Sequence, residues 1–392
     1  MITTSFPRSL EDYSGIFIFR LSRALVSSGV DIDVVAPADQ KSDSFQLLGE
    51  CPVHRFSYFF PKRWQKLAYG PGGIPANLKQ SPWLLVMVPF FLLSFFLKAY
   101  RVSRKANLIH AHWIYSGLIA WGVGLLRGIP FVVTLRGSDV VRAQKRGLSG
   151  FVSGWILRRA ARVTTVNENL RDWVTAEGIP EERVICIRNG VELNERKRRD
   201  ASSFTCRFLF VGNIVSAKGI QHLIEAIVLV LKEEKEVRLT LVGEGAERTF
   251  MEQRIREKGI EAFVDFVGGQ PPDQIASWMS QSDCLVLPSL SEGTPNVILE
   301  AMASALPVVA SSLPGICEIV NDRVTGLLVK PGDINDLAQK LLEMTRNRDL
   351  RRRMGETGRR IISEMGLGWD PVALRYKEVY QELCAASQES SI

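Results

Sequence analysis

The chain has 392 residues, 46% hydrophobic and 23% charged, a balance that fits a soluble globular protein of about two domains and excludes a disordered or collagen-like chain. Its formal net charge of +7 is unevenly spread: residues 1–190 hold 24 Lys and Arg against 13 Asp and Glu, and between Glu50 and Asp139 there is no acidic residue but eleven basic ones. A one-sign region of that size implies an anionic partner, namely a phospholipid surface, a lipid-linked phosphate or a nucleic acid. The six cysteines are scattered, with no zinc-type spacing. Cys186, Cys206 and Cys284 fall inside strand-like runs and read as reduced core residues. No signal-peptide pattern opens the chain, which goes straight into strand, loop and helix.

In chain order, Met1 to Thr4 reads as a short strand and residues 16–29 as a helix, with apolar positions Ile16, Phe19, Leu21, Ala24 and Leu25. Asp31 to Ala36 then completes a βαβ opening. Gly15, in the loop before the helix, fits either plain turn chemistry or a ligand contact. Residues 51–80 are rich in aromatic, basic, Gly and Pro residues with no clear period, and read as a mobile loop segment. The uncharged run Ser81 to Leu97 is short for a membrane span. It reads as a buried helix, as an interfacial helix flanked by Lys98, Arg101, Arg104 and Lys105, or as a span. Asn107 to Trp113 and Phe131 to Asp139 are strands whose ends carry His112 and Arg136. His110 and His112 lack a nearby third ligand, so they do not suggest a metal; His110 reads as inward and structural. A basic helix over 149–162, a strand Val163 to Glu168 and a strand Val184 to Val191 complete a first domain, 1–192. The charged stretch 193–204 reads as a linker.

A second domain, 205–366, opens on the strand Phe208 to Asn213 and a loop holding Lys218. Leu239 to Val242 is a strand closing on Gly243-Glu244-Gly245, where glycines either let backbone approach a ligand or make a tight turn. Cys284 to Leu287 is a buried strand. A polar loop follows, then Thr294 suits an N-cap and Pro295 a first helical position, with the helix running to about Ser304. Leu306 to Ala310 starts another strand. The loop therefore lies at the carboxyl end of a strand, where open α/β sheets bind ligands. Glu292 stands in the loop and Glu300 about 7–9 Å along the helix. A sugar nucleotide laid across this helix start could meet both carboxylates, with its phosphates at the amides of Asn296 and Val297. Residues 333–365 read as helical, Trp369 to Leu383 as an amphipathic closing helix within a segment 367–385, and the tail after Ala385 as disordered.

The run Glu292-Gly293-Thr294-Pro295-Asn296-Val297-Ile298-Leu299-Glu300-Ala301-Met302-Ala303 resembles the signature of retaining glycosyltransferases of family 4 over more than ten consecutive positions. That resemblance implies the GT-B architecture, two Rossmann-like α/β domains facing a cleft, with a final helix that crosses back to the first. It implies that Glu292 contacts the donor sugar and Glu300 the ribose hydroxyls. Gly293, Thr294, Pro295, Asn296 and Val297 would frame the donor. Lys218 matches a lysine that neutralises the donor diphosphate, and Gly243 lies where the family seats the nucleotide base. Gly15 and His112 match cleft positions that contact donor or acceptor.

Some positions depart from the family pattern. Asn213 stands where an arginine is common, and Arg136 where many relatives carry histidine, so Arg136 is a candidate for the missing cation. Ala305 replaces a frequent glycine, and Pro314 and Cys317 alter a glycine-rich loop. The expected activity is hexose transfer from a nucleoside diphosphate sugar to a hydroxyl with retention, without a metal or other cofactor. The expected acceptor is a glycan, lipid-linked or membrane-borne, in cell-surface polysaccharide assembly. Residues 51–105 would face an anionic membrane, placing the protein in the cytoplasm, peripherally at the inner membrane face. The departure at Asn213 leaves a catalytically weak nucleotide- or glycan-binding subunit as the alternative. No nucleic-acid module is recognisable, and a sugar-nucleotide epimerase would need a histidine and carboxylates that this pattern does not supply.

Overall fold

The computed structural model describes residues 1–70, 73–137, 147–193 and 205–389. The linker read over 193–204, apart from Leu193, and the strand-end residues Ser138 and Asp139 lie outside them. Two compact units result, Met1–Gly190 with Trp369–Ile392, and Val191–Gly368.

The first unit holds strands β1 (Val34–Pro37), β2 (Phe45–Leu48), β3 (Cys51–Phe56), β4 (Ile109–His112), β5 (Phe131–Leu135), β6 (Arg162–Thr165) and β7 (Val184–Cys186). The sheet runs β2-β3-β1 and β4-β5-β6-β7, parallel except for the β2–β3 hairpin. Ile2 bridges β1 and β4. Its amide donates to the His110 carbonyl at 2.8 Å and its carbonyl accepts from the His112 amide at 3.0 Å. The strand expected over Met1 to Thr4 is thus reduced to a bridge at Ile2. The closing helix Trp369–Glu389 packs on the helix Ile16–Ser27, where Lys377 Nζ donates to the Ser28 carbonyl at 2.6 Å. It runs past Ala385, where disorder was expected, through Glu389.

Residues 51–80 are not a loop. They contain β3, a 3-10 turn Lys62–Trp64 and a helix Gly73–Gln80. The alternation in β3 is concealed because its third inward residue is a charged one. Cys51, Val53 and Arg55 all point inward, and Arg55 is 2% exposed. Its guanidinium donates to the Phe6 and Pro7 carbonyls and, at 2.9 Å, to the Tyr69 hydroxyl. These acceptors engage both terminal nitrogens of a buried cation that has no ion pair among the described residues, leaving Nε without a partner there, and they fix the loop that leads to Gly15. Two smaller boundaries also shift. Asn167 caps the helix Glu168–Ala176, its side chain accepting from the Leu170 amide at 2.8 Å, so the strand before it stops at Thr165. Asn347 likewise splits residues 333–365 into helices Ile334–Arg346 and Arg348–Glu364.

The second unit is a six-stranded, wholly parallel sheet: β8 (Cys206–Val211), β9 (Val237–Val242), β10 (Val264–Gly268), β11 (Cys284–Leu287), β12 (Val308–Ser311) and β13 (Gly326–Val329). The order β10-β9-β8-β11-β12-β13 is the doubly wound Rossmann arrangement, whose winding reverses between β8 and β11. Strands buried on both faces need continuous apolar runs, and Cys284–Leu287 and Val308–Ser311 are buried throughout. Burial pushes the thiols of Cys186 and Cys206 up to about 12, as expected of reduced core cysteines.

Ala305 follows the helix Asn296–Ala303 with φ 52°, a conformation that favours glycine. Ala305→Gly should therefore stabilise the protein by about 0.5–1 kcal/mol, raising Tm by about 1–4 °C. Differential scanning calorimetry checks this, and a lower Tm would contradict it.

Candidate functional site

The switch point between β8 and β11 is where a doubly wound sheet leaves a crevice, because the connections on either side leave in opposite directions. Three loops line it. The loop after β8, Gly212–Gly219, meets the loop after β11 at Gly219, whose φ is 67°. A Cβ there would stand 2.0 Å from the Pro288 carbonyl oxygen. The Leu290 amide donates to the Ala217 carbonyl at 2.8 Å, tying the same two loops together. The loop after β9 approaches through Gly243, φ 147°, where a Cβ would lie 1.9 Å from the Gly212 carbonyl oxygen. These backbone contacts hold the strand ends at distances that no side chain would permit.

The close approach brings Lys218 and Glu292, 74 residues apart, into an ion pair. The Ser289 hydroxyl donates to the same Glu292 Oε1 at 2.9 Å. Ser289 is wholly buried and orients the carboxylate. The sequence offers only its position three residues before Glu292 as a signal, and it drew no role there. The adjacent helix is Asn296–Ala303. Pro295 is its N-cap and Asn296 its first residue, so the cap expected at Thr294 lies one position later. The reason is local: Pro295 keeps an extended ψ of 106°, outside the helical range. Glu300 is half-buried on the second turn, and Gly293, Thr294 and Val297 are half-buried beside it. Asn213 is exposed. Lysine and a positive helix end suit a phosphorylated group, and carboxylates at two depths suit hydroxyls that donate hydrogen bonds.

In the first unit, His112 and Arg136 come together, and the helix that follows Gly15 reaches Arg136 through Phe17. Gly15, φ 69°, caps the helix Ile16–Ser27, two residues before Phe17. The Arg136 guanidinium lies 4.6 Å from the Phe17 ring centroid, donates to His112 Nδ1 at 3.0 Å, and donates to Asn189 Oδ1. Neither Phe17 nor Asn189 was singled out from the sequence. Burial, then His110 and Arg136, hold the His112 imidazole well below its usual pKa, so it is neutral at physiological pH. Accepting at Nδ1 leaves the proton on Nε2, a buried atom with no partner among the described residues. The next residue, Trp113, has φ 66°, a strained conformation for a bulky side chain and one that clusters at functional sites. His110 is inward, bonded to Tyr380 and to Thr134, each at 2.5 Å. Among the described residues no three His, Cys, Asp or Glu side chains form a group that could hold a metal ion.

Known proteins share this architecture. Residues 194–361 match the family described as glycosyl transferases group 1, and residues 15–190 match a glycosyl transferase 4-like domain. An uncharacterized glycosyltransferase of Methanocaldococcus jannaschii is 28% identical over 298 residues, 74% of this chain and 81% of that protein. Among solved structures, the sucrose-phosphate synthase of Thermosynechococcus elongatus superposes with a TM-score of 0.78 at 24% identity, covering 98% of this chain and 99% of that one. Anabaena HepE in complex with UDP gives 0.75 at 19% identity, covering 97% and 99%.

Proposed function

Because the chain belongs to the group 1 glycosyl transferases, sugar-nucleotide-dependent enzymes of the GT-B fold, we propose that it moves a hexose from a nucleoside diphosphate sugar to a glycan hydroxyl with retention at the anomeric carbon. The observation that carries this reading is the Lys218–Glu292 pair beside the helix start at Asn296, at the switch point of a Rossmann sheet. Lys218 and the first-turn amides neutralise the diphosphate as its charge grows on departure. Glu292 accepts hydrogen bonds from the sugar and Glu300 from the ribose. The buried Nε2–H of His112 is a fixed donor for a substrate oxygen. The bond from the anomeric carbon to the phosphate oxygen breaks and a bond to the acceptor oxygen forms on the same face. The acceptor's proton passes to the departing phosphate, so neither a protein base nor a metal is required. Arg136, held by His112 and Asn189, supplies a cation for an anionic group of the substrate.

The complex of Anabaena HepE with UDP supports a nucleoside diphosphate as the leaving group. The acid-free stretch between Glu50 and Asp139 supports an acceptor assembled at a membrane, as in cell-surface polysaccharide synthesis on the cytoplasmic side. Incubation with UDP-, GDP-, ADP- and dTDP-glucose, with water as surrogate acceptor and proton NMR read before mutarotation, without added metal, tests the proposal. One donor should release its diphosphate and give an α-configured product. An inverted product would overturn retention. Exposed Asn213, in the place of a cation, favours the second reading of a binding subunit, and absence of turnover with diphosphate still bound would select it.

A further inference from the structure

The 24-residue apolar segment Pro82–Lys105 is long enough to cross a membrane, yet one side of it belongs to the first unit's core. Phe91, Phe95 and Ala99 are buried, and Phe95 stacks on Phe56 with ring centroids 4.7 Å apart. At 100° per residue the opposite side of the helix Val88–Val102 presents Phe90, Leu93 and Leu97 within about 60° of one another, and Val86 stands in the 3-10 turn before it. All four are exposed, Val86 by 67%. The stripe continues off the helix: Phe90 meets Phe59 edge-on at 6.0 Å, Phe59 stacks on Trp64 at 5.9 Å, and Phe60 is 89% exposed. Exposed Lys62 and Arg63 fall between Phe60 and Trp64 in sequence, exposed Arg101 stands in the last turn of the helix, and exposed Arg104 in the 3-10 turn that follows it. A contiguous apolar patch with aromatic ends and a basic rim is costly to leave in water and has the form of an interfacial anchor.

We propose that this face docks on an anionic phospholipid bilayer, with Phe60, Trp64, Phe90, Leu93 and Leu97 in the headgroup–acyl boundary and the basic side chains on lipid phosphates. Charge complementarity commits the face to that partner, since Lys62, Arg63, Arg101 and Arg104 are exposed and the segment that builds the face, residues 51–105, contains no carboxylate. The helix lies along the surface and does not span, because Phe91, Phe95 and Ala99 cannot face lipid while they fill the core. A cavity of about 690 Å³ opens beside the patch through Trp83 and Leu84, lined by Arg8, Lys41, Lys66, Asn77 and one carboxylate, Asp39, 3.5 Å from the Arg8 guanidinium. These polar groups suit the phosphorylated glycan head of an acceptor held in the same bilayer. The docking stands without the transferase reading; only this role for the cavity rests on it.

Sedimentation with vesicles of phosphatidylcholine alone, and of phosphatidylcholine mixed with phosphatidylglycerol, tests the docking. The full chain should pellet with the anionic vesicles and be released by salt. The double variant Phe90→Glu, Leu93→Glu should bind at least about tenfold more weakly, and Lys62→Glu, Arg63→Glu should lose the preference for phosphatidylglycerol. Donor hydrolysis unchanged in both variants would show that they remain folded. Wild-type protein left in the supernatant, or equal pelleting of the first variant, would overturn the proposal, as would a dimer that the first variant dissociates and that ignores vesicles. Failure of docking with donor hydrolysis intact leaves the transferase reading standing, so the two fail separately.

Discussion

Lys218→Ala should lower kcat for sugar transfer by about 10²- to 10³-fold, the usual loss when one preorganised group facing developing charge is removed. The free protein already holds Lys218 on Glu292, so the cation is in place before the donor arrives and little is spent reorganising it. Its value rises as the diphosphate leaves and gathers charge. On that basis kcat and kcat/KM fall together while the donor KM changes little. Glu292 keeps its bond from Ser289 in the variant, so the sugar-side carboxylate remains oriented. Steady-state kinetics with the preferred donor makes the distinction. A raised KM with unchanged kcat would mean that Lys218 contributes only ground-state binding.

Gly219→Ala carries the second large effect, and it acts on structure and activity together. The added methyl would meet the Pro288 carbonyl oxygen at 2.0 Å on a backbone with φ 67°, so relief requires separation of the β8 and β11 loops. Strain and lost contact together should cost about 3 kcal/mol, a fall of about 6–12 °C in Tm for a domain of this size. Separation would also pull Lys218, the preceding residue, from Glu292. Transfer should fall by at least the Lys218→Ala factor even at temperatures where the variant is folded. Thermal melts with parallel assays check this, and a variant with unaltered Tm would show that the loops have slack which the contact distance denies.

Much of the second unit was legible because its strands are short apolar runs ending in glycine-marked turns. The crevice residues also lie close together in sequence, from Glu292 to Glu300, so their grouping needed no tertiary knowledge. The Lys218–Glu292 pair did need it, since only the parallel pairing of β8 with β11 places those loops side by side. Legibility failed where a local rule is overridden by tertiary contact. Arg55 occupies an inward strand position because the Phe6 and Pro7 carbonyls and Tyr69 receive its charge, and no pattern of apolar residues announces that. The N-cap moved from Thr294 to Pro295 because proline fits the extended cap as well as the first helical turn. Asn347 broke an apparently continuous helix by offering its side chain to the Leu350 amide at 2.9 Å. For Ser81 to Leu97 the buried reading holds for the face of Phe91 and Phe95, while Phe90, Leu93 and Leu97 on the other face are exposed, a division that composition alone does not reveal.

The measurement that tests the donor site most directly is a thermal-shift series with UDP, GDP, ADP and dTDP, each with magnesium and with a chelator, on wild type and Glu300→Ala. A ligand at 100 times its Kd stabilises the native state by about 2.7 kcal/mol, a shift of about 5–10 °C. One diphosphate should give that shift, equally with and without magnesium, and Glu300→Ala should lose most of it. No shift with any diphosphate, or one that requires magnesium and survives in Glu300→Ala, would contradict a metal-free donor site at the β8–β11 crevice.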